Sequence, residues 1–155
     1  MKKICFTGHR NVRTTHDLET RLENTLCMLI EKHGASDFYA GGALGWDTLC
    51  AQTVLKLKQN HPICLHLVLP CSEAEQTARW STAQKDTFRN IMSAADSVEY
   101  VSENYFDGCM KLRNQRLVEL ADICVCYYDE KNSASGTGQT VRMARNKNID
   151  VVNLI

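Results

Sequence analysis

Neither sign of charge is in excess in this chain: 18 lysines and arginines stand against 18 aspartates and glutamates. A general nucleic-acid binder draws affinity from a basic surplus, so the balance weighs against that class and leaves room only for a local basic cluster. Long apolar runs are missing as well. The run behind Met1-Lys2-Lys3 ends at Phe6, and the longest elsewhere, 63–69, contains His66. Neither has the length of a signal peptide or a bilayer span, so no membrane partner is expected. Eight cysteines are present, but no two form a C-x-x-C pair. Without zinc-type spacing the thiols read as small core hydrophobes, reduced in a cytoplasmic setting and free of metal. There is no G-x-G-x-x-G and no Walker Lys-Ser/Thr, so neither NAD binding nor ATP hydrolysis follows from motif. Repeats and linkers are absent too.

What remains is ordinary globular material: 155 residues, 44% hydrophobic and 23% charged. A chain of this length can bury roughly two-thirds of its surface, enough for one domain over 1–155 without staples. Strand and helix signals alternate along it. Lys3 to Thr7 reads as a first strand, and Leu18, Leu22, Leu26, Leu29 and Ile30 recur at helical spacing. Thr14 or Thr15 can cap that helix and Gly34 can end it. Asp37 to Ala40 is a second strand, followed by a helix with Cys50, Val54 and Leu57 on one face. The run 63–69 reads as a strand buried on both sides, with His66 as a hydrogen-bonded core residue. Phe88, Ile91, Met92 and Ala95 mark a helix, Ser97 to Val101 a strand, Cys109 to Ala121 a helix. Ile123 to Tyr128 is a fifth strand, with Cys124 and Cys126 on one face, and 136–147 and 151–155 supply the last helix and strand. This order predicts an α/β fold: a Rossmann-like three-layer α/β/α sandwich with a mainly parallel sheet.

In such a sheet ligands bind beyond the carboxyl ends of the strands, and three of those ends carry chemistry suited to an anion. Thr7-Gly8-His9-Arg10 leaves the first strand with a glycine for close approach and two cationic or donor groups. Gly41-Gly42-Ala43-Leu44-Gly45-Trp46-Asp47 follows the second strand and opens a helix, where bare N–H groups and the helix dipole attract phosphate. Asp47 either opposes that dipole or accepts from a ribose, and Trp46 is either core or a base platform. Ser135-Gly136-Thr137 precedes the last helix as a third candidate nest. An independent clue lies on the 109–121 helix. At about 100° per residue, Arg113 falls within an apolar arc of Cys109, Met110, Leu117, Leu120 and Ala121, with Asn114 at its edge. A guanidinium there needs a protein partner or an anionic ligand in a cleft. On the ligand alternative, leucine at 113 would complete the arc and leave the fold intact.

These residues together resemble the YpsA-like branch of the SLOG superfamily, which also holds the DNA-processing protein DprA and the LOG phosphoribohydrolases. The resemblance is carried by Thr7-Gly8-His9-Arg10, the segment 41–47, Glu75-Gln76 with Trp80, Ala95-Asp96, Arg113-Asn114, Ala121-Asp122 and Ser135-Gly136-Thr137, in order over nearly the whole chain. It implies a Rossmann-like domain that binds a nucleotide or nucleotide derivative, and no further cofactor is assigned. LOG enzymes carry a catalytic glutamate three residues after a Gly-Thr pair; aligning Gly136-Thr137 places Thr140 there, so the resemblance brings no reaction with it.

The expected ligand site is therefore Gly8, His9, Arg10, Gly41, Gly42, Gly45, Trp46, Asp47, Trp80, Arg113, Asn114, Ser135, Gly136 and Thr137, with Trp46 or Trp80 stacking on a base and no catalytic residue or metal assigned. The first expectation is a nucleotide-binding or sensing domain. The alternative is an N-glycoside hydrolase of a nucleoside monophosphate, in which Asp47 or Asp129 must face the ribose. A DprA-like DNA-associated module ranks third, and homo-oligomerisation stays open.

Overall fold

The computed structural model describes residues 1–155. Six strands, β1 (Lys2–Gly8), β2 (Ala35–Ala40), β3 (Cys64–Leu69), β4 (Ser97–Tyr100), β5 (Ile123–Tyr127) and β6 (Asp150–Asn153), form one sheet in the order β4-β3-β2-β1-β5-β6. Every neighbouring pair is parallel. Six helices connect them: α1 (His16–His33), α2 (Trp46–Leu57), a single turn α3 (Glu73–Gln76), α4 (Thr82–Ala94), α5 (Cys109–Leu120) and α6 (Gly136–Asn146). The three-layer architecture expected from the alternation is present. The periodicity did not reveal α3 or the 3-10 turn at Glu130–Asn132, both too short to carry a period.

Local chemistry sets the helix ends. Thr15 Oγ1 accepts from the Leu18 N–H at 3.1 Å to start α1, and Gly34 ends it in the left-handed region at φ 69°. Ser81 and Gln84 exchange hydrogen bonds as a capping box on α4. Ser135 caps α6 through the Gly138 N–H at 3.1 Å.

Strand alternation divides the core in two. Ile4 and Phe6 of β1 point to one face, where they pack with Leu22 and Leu26 of α1, Trp46 and Val54 of α2, and Phe88 of α4. Cys5 points to the other and meets Cys124 and Cys126 of β5, Leu117 of α5 and Val141 of α6. Cys124 and Cys126 share a face, and all eight cysteines are free thiols.

The second face is narrower in its cover. A helix spans about 10 Å, the width of two strands about 4.8 Å apart. The two helices α5 and α6 therefore cannot roof six strands. As a consequence β3 is not buried throughout: Cys64 and His66 are only half-buried, which corrects the reading of 63–69 as a strand enclosed on both sides. His66 is hydrogen-bonded as expected, but it stands at a partly open corner of the sheet.

The chain leaves β1 toward β2, β3 and β4, then returns across the sheet to β5. The reversal falls between β1 and β5, and that is where an open α/β sheet forms its crevice. The loops after β1 and β2 meet beside it. The Trp46 N–H donates to the His9 carbonyl at 3.2 Å. A Cβ on Gly45, which sits at φ 77°, would fall 2.2 Å from the Arg10 carbonyl oxygen. Gly34 has a similar φ and nothing within 4 Å of a Cβ. Gly34→Ala should therefore cost about 1–2 kcal/mol for the backbone conformation alone. Gly45→Ala should cost at least about 2 kcal/mol more, since clash adds to conformation. Urea unfolding of the two variants measures the difference; equal midpoints would show that the loop contact gives way freely.

Candidate functional site

A cleft of about 350 Å³ opens at the switch point. Its floor and one wall are Phe6, Thr7, Gly8, His9 and Arg10 at the end of β1. Asp47 and Ala43 enter from the loop and first turn of α2, Met110, Arg113 and Asn114 from α5, and Ser135, Gly136 and Thr137 from the start of α6. Residues as far apart in the chain as Phe6 and Thr137 are thus brought together by strand order.

Five expected residues lie elsewhere. Trp46 is fully buried, its Nε1–H donating to the Val125 carbonyl at 3.4 Å and its ring 5.5 Å from that of Tyr127. It is a core residue and has no face for a base, which resolves the two readings of this position. Gly8 lies against it: a Cβ there would be 2.3 Å from the indole. Gly41 sits behind the cleft, where a Cβ would meet Arg113 Nη1 at 2.6 Å and Asp47 Oδ2 at 2.9 Å. Gly42 packs on Leu69 and Phe88, and Gly45 on the Arg10 backbone. The glycines of 41–45 thus let protein approach protein. The first N–H of α2 is already taken by the His9 carbonyl. Trp80 lines a neighbouring cleft of about 590 Å³ with Arg10, Glu75, Gln76, Ala78, Arg79, Tyr105 and Met110. Arg10 and Met110 belong to both clefts. Tyr105 was not foreseen; it lies in an aperiodic segment, and only its backbone N–H, donated to Glu75 Oε2 at 2.5 Å, ties it to the motif containing Glu75.

The start of α6 is the open helix terminus. Gly138 N–H is taken by Ser135 Oγ, but the N–H groups of Gly136 and Thr137 have no acceptor in the chain, and neither has the Thr137 hydroxyl a partner. Such a terminus favours an anion through both its free donors and its dipole. Asn114 adds a further donor. Its Oδ1 accepts from Arg113 Nε at 2.8 Å, which leaves Nδ2 without a protein acceptor. His9 Nε2 accepts the Asp129 N–H at 3.0 Å, so the proton of a neutral ring sits on Nδ1.

Arg113 and Asp47 form the buried charged centre, 5% and 6% exposed. Burial pushes the Asp47 carboxyl above its ordinary range, against the pull of Arg113 and of the Ala43 N–H that donates to Oδ2 at 3.2 Å. Burial likewise pulls the Arg113 pKa down, with Asp47 acting in the opposite direction. Asp129, the other carboxylate considered for a ribose, is spent on capping the 3-10 turn through the Lys131 N–H and is not part of this cleft.

The family model of YpsA, described as the YspA SLOG family, matches residues 4–154. The chain belongs to the YspA SLOG family. A UPF0398 protein of Halalkalibacterium halodurans is 31% identical over 147 residues, covering 87% of this chain and 76% of that protein. The SPbeta prophage-derived protein YoqJ of Bacillus subtilis is 27% identical over 140 residues, 83% of this chain and 80% of YoqJ. Among solved structures, the fold is similar to DNA processing protein A from Helicobacter pylori, described in terms of its single-stranded DNA binding mode. The TM-score is 0.66 at 23% identity, over 97% of this chain but only 63% of that one. It is also similar to TM1055, a structural-genomics target, with a TM-score of 0.59 at 18% identity, over 97% of this chain and 72% of that one. The Rossmann-like expectation and the SLOG resemblance both hold. No helix is long and apolar enough to cross a membrane.

Arg113 has protein partners as well as a place in the cleft. Its Nη1 donates to the Gly41 carbonyl and its Nε to Asn114. Leucine at this position would strand a buried carbonyl and remove the cation beside Asp47, so the tolerance expected from the apolar arc does not survive. Arg113→Leu is predicted to lower stability by about 1–3 kcal/mol, read as a drop in the urea midpoint at constant slope. An unchanged midpoint would mean the guanidinium serves a ligand alone.

Proposed function

We propose that the protein binds a nucleotide or a nucleotide-derived small molecule across the two adjoining clefts. One observation carries the reading: the unpartnered donors of Gly136 N–H, Thr137 N–H, Thr137 Oγ1 and Asn114 Nδ2 surround a single cleft that also holds Arg10 and Arg113. A site so rich in donors suits a phosphate. Asp47 is the only carboxylate lining it and would accept from a ribose hydroxyl. Arg10 bridges to the cleft of Trp80 and Tyr105, where a base can stack on Trp80.

An N-glycoside hydrolase is the second reading. It rests on Asp47, since Asp129 is committed to its turn. Burial weighs against it, because a carboxyl held above its ordinary range is a poorer anion for an oxocarbenium-like state. DNA handling is third: the similar DNA processing protein A binds single-stranded DNA, but this chain has formal net charge +0, and its cleft of about 350 Å³ is lined by two arginines, Arg10 and Arg113.

Thermal unfolding against nucleoside mono- and diphosphates, sugar nucleotides and ADP-ribose tests the reading. Binding at about 100 times Kd stabilises by about 2.7 kcal/mol, a rise of roughly 5 to 10 °C for a chain of this size. Arg10→Ala should weaken the response about tenfold in ligand concentration. A flat response across the panel would defeat the proposal. Release of free base from a nucleoside monophosphate, abolished by Asp47→Asn, would promote the second reading. A gel shift with sub-micromolar affinity at physiological salt would promote the third, because binding worse than about 10 μM is the nonspecific range expected here.

A further inference from the structure

The uncovered corner of the sheet, on the face that carries α5 and α6, holds a second group of reactive side chains. Parallel register pairs Asp37 of β2 with Cys64 of β3 and Tyr39 with His66. Cys64 and His66 are two apart and share that face. The outcome is a carboxylate oxygen, a thiol sulfur and an imidazole nitrogen, all within 4.8 Å of one another and all half-buried. None of the three lines the nucleotide cleft, which opens at the other, carboxyl end of the strands.

Neighbouring groups hold these side chains in place. His66 Nδ1 lies 2.6 Å from Ser97 Oγ, and its Nε2 lies 2.8 Å from Asp37 Oδ1. The Ser36 hydroxyl donates to Asp37 Oδ2 at 2.9 Å, and the Tyr39 ring stacks on the imidazole at 4.7 Å. A neutral ring that donates Nε2–H to Asp37 and accepts the Ser97 hydroxyl at Nδ1 satisfies both contacts, so a proton holds the imidazole and carboxylate together. A metal ion taking the place of that proton would find a third donor beside it. Cys64 supplies the third ligand.

We propose that Asp37, Cys64 and His66 form a binding site for one zinc-like divalent transition-metal ion, with solvent in the fourth position. Mixed nitrogen, oxygen and sulfur donors select Zn²⁺ or Co²⁺ over Mg²⁺ and Ca²⁺, which take oxygen. In tetrahedral zinc sites the donors stand about 3.3–3.6 Å apart, so the imidazole and carboxylate, now 2.8 Å apart, would open slightly and the half-buried thiol would turn inward to close the set. Ser97 and Ser36 play the orienting part that outer hydrogen bonds play around metal ligands. Linear spacing hides such a site, because one ligand comes from the adjacent strand.

Metal-free protein titrated with Zn²⁺ by calorimetry, and with Co²⁺ by absorbance, tests the assignment. The expected result is one ion per chain and a thiolate–Co²⁺ charge-transfer band. Cys64→Ser should remove the band and weaken Zn²⁺ binding at least about tenfold, and His66→Gln should weaken it similarly. Cys27→Ser, at the only other cysteine that is not buried, should change neither. Melting curves without metal report folding of each variant, and should His66→Gln fail to fold, Cys64→Ser decides alone. The assignment fails if the wild-type protein takes up no stoichiometric ion. It fails equally if uptake survives Cys64→Ser or is lost with Cys27→Ser.

Discussion

The close contact between the loops that leave β1 and β2 is the constraint on which the site depends. Trp46, fully buried, fills the space under Gly8, and its two N–H groups reach the His9 and Val125 carbonyls. One residue therefore ties the end of β1, the start of α2 and the middle of β5. Backbone can approach this closely only where no Cβ intervenes, which is why Gly8 and Gly45 flank the contact. With the loops so fixed, Arg10 and Asp47 both line one cleft.

A similar economy governs the interior charges. Arg113 and Asp47 sit in a place where either alone would be costly, and neither is left alone. Arg113 holds the Gly41 carbonyl and orients Asn114; Asp47 holds the Ala43 N–H. Their protein bonds use only part of their capacity. The remainder, with the free N–H groups at the start of α6, faces the cleft. The positions that look structural and those that look functional are the same positions.

The two faces of the sheet are used differently. Large residues, Phe6, Phe38 and Leu65 among them, fill the face under α1, α2 and α4. The other face carries Cys5, Cys124 and Cys126 under α5 and α6. Two helices leave part of six strands uncovered, and the polar residues Asp37, His66 and Ser97 occupy that part in place of a buried core.

Much of the molecule was legible in the order of residues. All six strands and the five longer helices follow from the succession of apolar runs and helical spacing, although β4 and β6 bury no residue. Thr15, one of two threonines offered as a cap, and Gly34 announced the ends of α1 through the same local chemistry that forms them. Nine of the fourteen expected site residues line the cleft: six lie at or just beyond the carboxyl ends of β1 and β5, and Asp47, Arg113 and Asn114 reach it from helices α2 and α5. Tertiary structure decided what locality cannot express. Whether Trp46 offers its face to a base or to the core depends on Gly8, 38 residues earlier in the chain. Whether the glycines of 41–45 meet phosphate or protein depends on Arg113 and on the Arg10 backbone. The pairing of Asp37 with Cys64 depends on the register between two strands. A sequence encodes such contacts only through the whole fold, because the distance that decides them is measured across the sheet and not along the chain.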